Sequence, residues 1–171
     1  LLCPHNMYKA EKLELEMPIS QHLLNWYDEF ARDLPWRRPA GEADPYHVLL
    51  SEIMLQQTTV TAVIPYFQEF TRRWPDLSSF SNAAEEEVMN AWAGLGYYSR
   101  ARNLVKAARQ IAQDYDGRVP DSQDTLLDLP GIGPYTAAAI TAIAFDKYAV
   151  IMDGNVERVI SRYHGVETPL P

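Results

Sequence analysis

The sequence predicts an all-α fold, and three observations carry that expectation. From about residue 18 onward the apolar residues recur at three- and four-residue spacing. No run of strict alternation marks a strand. The joints between the periodic segments are short and carry Pro or Gly, as at Trp74-Pro75-Asp76 and Asp116-Gly117. With 171 residues, 47% of them hydrophobic, the chain can bury a core as one compact unit or two small ones.

Residues 1–17 are polar and irregular and are assigned no structure. Ser20 is the expected N-cap of a helix reaching about Ala31, with Leu23, Leu24 and Tyr27 as its buried stripe, and Leu34-Pro35-Trp36 ends it. Further helices are expected over about 45–58, 60–74, 84–93, 98–115, 122–128, 134–146 and 154–163. There is no repeat at a fixed period and no low-complexity tract. The sequence closes on Glu167-Thr-Pro-Leu-Pro171 without an element to seal a core, which reads as a piece of something longer.

The longest apolar stretch, Thr136 to Phe145, falls short of the roughly 20 residues a bilayer span needs, and no signal peptide opens the chain. A cytoplasmic location without a membrane partner is the expectation. The single cysteine, Cys3, supports neither a disulfide framework nor a Cys-based metal site. The net charge of −8 argues against a nucleic-acid partner, because phosphate binding draws on Lys and Arg. The distribution is uneven, however. Residues 11–29 hold five acidic groups and one basic, whereas Tyr97 to Arg118 holds five basic and two acidic.

Four segments could carry chemistry. In Leu129-Pro130-Gly131-Ile132-Gly133-Pro134-Tyr135-Thr136-Ala137, two short helices meet at glycines that permit backbone conformations closed to other residues, and Pro134 suits a helical first turn. Unpaired amides at that helix start form an anion site without any basic side chain, so an acidic protein could still hold DNA. The plainer reading is a tight interhelical turn. In Leu50-Ser51-Glu52-Ile53-Met54-Leu55-Gln56-Gln57-Thr58, one carboxylate sits mid-helix and shares a face with Val48, Leu49, Leu55, Gln56 and Thr59. Burial would keep Glu52 protonated near neutral pH, as a general acid requires, unless a neighbouring Arg or helix terminus compensates it.

Asp153, in Met152-Asp153-Gly154-Asn155-Val156, stands where a helix N-cap belongs. It could equally be the anion that stabilises an oxocarbenium-like sugar beside a general acid, the division of labour of glycoside hydrolysis. Gly94-Leu95-Gly96-Tyr97-Tyr98 leads into a helix with Arg102, Lys106 and Arg109 on one face and Leu104, Ala108 and Ile111 on the other. That stripe is either a solvated face or, beside aromatics on a Gly-rich turn, a surface for a nucleic-acid backbone and an inserted ring.

With these strings in order, and with Leu34-Pro35-Trp36-Arg37 before them, the chain resembles the helix-hairpin-helix DNA glycosylase superfamily, and within it the A/G-specific adenine glycosylases. The resemblance runs from about Leu24 to His164. It implies a six-helix barrel with a helix-hairpin-helix and an incomplete second helical lobe. Residues 18–43 would supply the N-terminal helix of that lobe, 44–152 the barrel with its hairpin at about 122–146, and 153–171 the start of the truncated C-terminal part.

It further implies that Glu52 protonates adenine and that Asp153 stabilises the sugar cation, with Asn155 nearby. Trp36 and Arg37 would border a flipped base. Gln57 and Tyr97 would enter the duplex around the lesion, flanked by Gln56 and Thr58, and the amides of Gly131 and Gly133 would grip phosphate. Related endonuclease III-like enzymes carry a lysine where this chain has Tyr135, which points to a monofunctional enzyme that forms no Schiff base.

The partner so implied is double-stranded DNA with an A:8-oxoguanine or A:G mispair, in a bacterial, nucleoid-associated setting. The family continues into four cysteines that bind a [4Fe-4S] cluster and then a Nudix-like domain; the expectation for this chain is no cofactor and no metal. Two other readings stay open, a bifunctional glycosylase/AP lyase and a truncated, non-catalytic DNA-binding module.

Overall fold

The computed structural model describes residues 18–39 and 41–168, so the segment expected to be irregular over 1–17, Cys3 included, lies outside the described residues. Among the described residues the regular structure is helical, with no strand. The chain divides between Leu34 and Pro35 into two compact units.

In the first unit, helix α1 spans Ile19–Phe30. Its cap is Pro18 rather than Ser20: the Pro18 carbonyl accepts the Gln21 amide at 2.9 Å, and Ser20 is the second residue of the helix. The stripe of Leu23, Leu24 and Tyr27 is not buried as expected. All three are exposed, at 56, 57 and 46%, as are Trp26 and Phe30. Apolar periodicity marks a face fit for burial, which is a different matter from a face that is buried. Trp26 and Phe30, four residues apart, stack on each other at 5.8 Å.

The second unit is built around α2 (Pro45–Leu55), which packs on α3 (Val60–Arg73), α6 (Ser99–Asp114) and α8 (Pro134–Phe145). The sequence dictates where α2 starts. Asp44 accepts the amides of Tyr46 (2.8 Å) and His47 (3.2 Å), and Pro45 occupies the first position, where a missing N–H is harmless. Val48, Leu49, Leu50, Ile53 and Met54 are then buried almost completely. Against them lie the small residues Ala137 to Ala139 of α8, whose short side chains allow close approach of the two helices.

Helices α5 (Glu85–Trp92) and α4 (Leu77–Ser81) pack on α6, and α7 (Gln123–Leu127) pairs with α8 as the hairpin. The chain ends its described part with α9 (Gly154–Tyr163), none of whose residues is buried. Trp36, in the larger unit, sits edge-on to Phe67 at 5.3 Å.

Three sequence expectations need correction here. Helix α4, five residues long, is absent from the sequence reading, although α7, of the same length, is expected beside the glycine hairpin. Helix α4 is set by a reciprocal capping box in which Asp76 accepts the Ser79 amide at 2.7 Å and Ser79 accepts the Asp76 amide at 3.3 Å. Helix α2 stops at Leu55 and not at 58, since Gln56 turns extended (ψ 113°) and Gln57 turns left-handed. Thr59 therefore leaves the Glu52 face and caps α3 through the Ala62 amide.

Candidate active site

A cleft of about 560 Å³ opens at the C-terminal end of α2, walled by Glu52, Gln56, Gln57, Tyr97, Tyr135 and Asp153 among others. Four helix ends meet there, which is why residues so distant in sequence share one wall. Glu52 projects from the penultimate turn of α2. Its neighbours along the helix, Ser51 and Ile53, are each 2% exposed. Desolvation pushes its carboxyl up to about 7. No hydrogen bond or ion pair reaches Glu52 among the described residues, so the compensated alternative does not hold. The one buried arginine, Arg100, spends its guanidinium on backbone carbonyls instead.

Asp153 is the N-cap of α9, accepting the amides of Val156 at 2.7 Å and Asn155 at 3.0 Å. The Asn155 side chain donates to its other oxygen at 3.1 Å and is itself bonded by Arg158 at 3.3 Å. The Val156 amide, with the Asn155 donors and the Arg158 charge behind it, holds the Asp153 carboxyl below the usual carboxylate range. Capping and anion are thus one arrangement: the cap bonds that fix Asp153 also keep it ionised. Tyr135, at the second position of α8, faces both acids. Burial first, then the charges of Glu52 and Asp153, raise its phenol above 10, which keeps it a neutral donor. The cleft therefore holds a carboxyl that still carries its proton up to about pH 7 and a hydrogen-bonded anion, with the phenol of Tyr135 subject to both.

The cleft mouth is formed by two turns. Gln57 (φ 56°) and Tyr97 (φ 48°) both adopt the left-handed backbone that non-glycine residues seldom take, and both are exposed. Gln56 reaches across to the hairpin, its Nε2 donating to the Thr136 hydroxyl at 3.3 Å and the Gly131 carbonyl at 3.4 Å. Thr58 folds back to donate to the Gln56 carbonyl at 3.3 Å.

The remaining sequence-predicted residues lie outside the cleft wall. Gly131 needs its glycine twice over, since φ is +80° and a Cβ would come within 2.8 Å of the Asn103 Cβ. Gly133 does not, and here the sequence expectation is corrected. Its backbone is extended (φ −96°, ψ 177°), and a Cβ there would meet nothing within 4 Å. What its missing side chain leaves is open space before the unpaired first-turn amides of α8, which no side chain caps.

Trp36 belongs to the core contact with Phe67, and neither it nor the partly exposed Arg37 lines the cleft. The basic stripe on α6 is shorter than expected, because Arg109 bonds the Ala83 carbonyl at 3.2 Å and lies 3.9 Å from Glu85. Arg102 and Lys106 remain exposed. Arg100, missed by the sequence reading, proves to be the buried member of the same helix.

A larger hollow of about 690 Å³ lies at the opposite end of α2, lined by Asp44, Tyr46, Asp76, Asp116 and Asp121 among others. Size does not make it the chemical site. Asp44 and Asp76 are spent on helix caps, and Asp121 pairs with Lys147 at 2.6 Å. No helix among the described residues is long and apolar enough to cross a membrane.

An all-helical body, a glycine hairpin leading into an uncapped helix and a cleft that opposes two carboxyl groups together define a class of helix-hairpin-helix proteins that act on nucleic acid. The chain belongs to the HhH-GPD superfamily of base excision DNA repair proteins, which it matches over residues 50–171. It is 48% identical over 144 residues to the adenine DNA glycosylase of Mycolicibacterium smegmatis, covering 84% of this chain and 48% of that protein. It is 47% identical over 150 residues to the adenine DNA glycosylase of Homo sapiens, covering 84% of this chain and 28% of that one. The chain thus spans less than half the length of these curated relatives.

Among solved structures it resembles a thermostable thymine-DNA glycosylase (TM-score 0.75, 36% identity, 83% of this chain and 64% of that one). It also resembles a non-covalent endonuclease III–DNA complex (TM-score 0.70, 25% identity, 85% and 67%). A [4Fe-4S] cluster takes four cysteine thiolates. With one cysteine in its sequence, this chain's residues do not fit such a group.

Proposed function

We propose that this chain is the catalytic helical body of a monofunctional adenine DNA glycosylase acting on double-stranded DNA, on adenine opposite 8-oxoguanine or guanine. One observation carries the reading: a single cleft holds an uncompensated carboxyl raised to about 7, Glu52, and a hydrogen-bonded anion, Asp153. The relatives named adenine DNA glycosylases give the base its identity. Such work belongs on chromosomal DNA, and a bacterial cytoplasm with nucleoid association suits it.

The base must leave the stack to meet these groups, and the cleft falls in the size range of small-ligand sites. Glu52 delivers its proton to an adenine ring nitrogen while the N-glycosidic bond breaks, its electron pair leaving with the base. Positive charge builds on the sugar, opposed by the Asp153 carboxylate that Asn155 and Val156 hold in place. Water adds at the sugar carbon and gives up a proton to the Glu52 carboxylate, which restores the acid and leaves an abasic site. Tyr135, a neutral phenol with no amine to form a Schiff base, supports the monofunctional reading over the lyase.

The test is single-turnover excision on A:8-oxoguanine and A:G duplexes, with Glu52→Gln as control. Wild type should release adenine and Glu52→Gln should not, and borohydride should trap no covalent adduct. A mutant at wild-type rate defeats the mechanism. Binding without excision by wild type favours the non-catalytic DNA-binding reading.

A further inference from the structure

Arg100 is 8% exposed on the first turn of α6, and among the described residues its bonds go to backbone carbonyls rather than to a carboxylate. Its Nη1 donates to the carbonyls of Met54 (2.7 Å), Gln56 (2.5 Å) and Ile53 (3.3 Å). Its Nη2 donates to Gly96 (3.2 Å) and Leu95 (3.3 Å). The guanidinium lies 5.4 Å from the Trp92 ring and 5.3 Å from the Tyr97 ring.

Two of those carbonyls stand apart from the rest. Gln56 and Gly96 each immediately precede a left-handed residue, Gln57 and Tyr97 respectively. The orientation of a peptide carbonyl and the φ of the next residue turn together, so a donor that fixes the carbonyl fixes where the next side chain leaves the backbone. Left-handed φ is disfavoured for glutamine and tyrosine and persists only where the surroundings hold it. Here one planar fork bridges both, sharing the Gly96 carbonyl with the Trp92 indole N–H (2.9 Å) and the Gln56 carbonyl with the Thr58 hydroxyl (3.3 Å), and lysine's point charge cannot reproduce that bridge.

We infer that Arg100 is the positioning residue of the cleft mouth, holding Gln57 and Tyr97 together in the left-handed conformation from which both side chains enter a DNA duplex. The duplex part of this inference rests on the adenine glycosylase reading; the backbone part rests on the bonds just described. A merely structural role would be to cap the last carbonyls of α2, those of Ile53 and Met54, and would leave the two turns indifferent to the arginine.

The experiment compares wild type with Arg100→Lys at a temperature where circular dichroism shows both folded. Amide hydrogen exchange at Thr58 and at position 100, whose N–H groups bond the Leu55 and Tyr97 carbonyls at 3.2 and 2.9 Å, should speed up at least tenfold in the variant, while Leu49 to Ile53 stay protected. With 2-aminopurine beside the mispair, the fluorescence rise on binding should be lost, although affinity for a fully paired duplex stays within twofold. Single-turnover excision should fall ten- to a hundredfold with its alkaline midpoint still near 7. Tyr97→Leu alone should also lose the rise, and adding Arg100→Lys to it should cost less than twofold more.

Arg100→Gln, which can bond one carbonyl but cannot bridge two turns, gives the same contrast if the lysine variant melts early. Unchanged exchange at both turns, a retained fluorescence rise, additive double-variant losses or a general rise in exchange along α2 would each overturn the inference. If wild type itself gives no fluorescence rise and no excision, the glycosylase reading fails, while exchange at Thr58 and at position 100 still decides what Arg100 holds.

Discussion

Glu52 shows how one side chain can be costly to the fold and useful to the site. Its carboxyl is raised from 4.5 to about 7, so between those values the folded chain binds a proton that the unfolded chain releases. Folding stability therefore declines as pH rises through this window, and above about pH 7 the full cost of the buried charge is present, up to about 3 kcal/mol. Glu52→Gln should accordingly melt at nearly the wild-type temperature at pH 5 and several degrees higher at pH 8, measured by thermal denaturation at both values. The same titration predicts that excision falls above about pH 7 with a one-proton slope, as the acid form is lost. A flat rate between pH 6 and 9 would show that Glu52 is not the donor.

The two hairpin glycines separate in the same manner. Gly131→Ala should cost about 2 kcal/mol in urea denaturation, because it is both left-handed and blocked by Asn103. Gly133→Ala should be nearly neutral for folding and weaken DNA binding. In the sequence the two glycines look alike, and only backbone angles and neighbours tell them apart.

At the scale of elements, the longer helices were legible by their period. The caps Asp44 and Thr59 emerge only with the coordinates, Thr59 having been placed by its spacing on the Glu52 face. What the sequence concealed follows from short range and from burial. Helix α4 lacks the glycine hairpin that marks α7 at the same length, the end of α2 depends on a left-handed Gln57 that composition does not mark, and Arg100 hides its burial in a helix that otherwise presents cations to water. The acid itself was legible as an isolated carboxylate in an apolar helix, but its lack of a counter-ion required coordinates. Asp44 lies at the far end of α2 from Glu52. Asp44→Ala should thus cost about 1 kcal/mol of stability through the lost cap, while single-turnover excision at a temperature where the variant is folded stays at the wild-type rate. A large loss of rate would mean that the whole helix, rather than its C-terminal end, sets the acid.

For the whole molecule the governing question is how a chain of net charge −8 would hold a polyanion. Much of its basic charge is already engaged within the protein: Arg72 and Arg73 with Glu69, Lys147 with Asp121, Arg109 with Ala83 and Glu85, and Arg100 with backbone. Beside the hairpin, where Asn103 of α6 touches Gly131, the neighbouring cations are the exposed Arg102 and Lys106. Helix-start amides bind phosphate through fixed dipoles and without themselves adding mobile positive charge, so most of the counterion release must come from a few side chains. The logarithm of the DNA association constant should therefore fall only gently with the logarithm of salt concentration, with a slope of about −2 to −4. Arg102→Ala combined with Lys106→Ala should flatten that slope by about 2, and Arg109→Ala should leave it unchanged. A wild-type slope steeper than about −6 would mean that basic groups elsewhere in the chain carry the phosphate contacts.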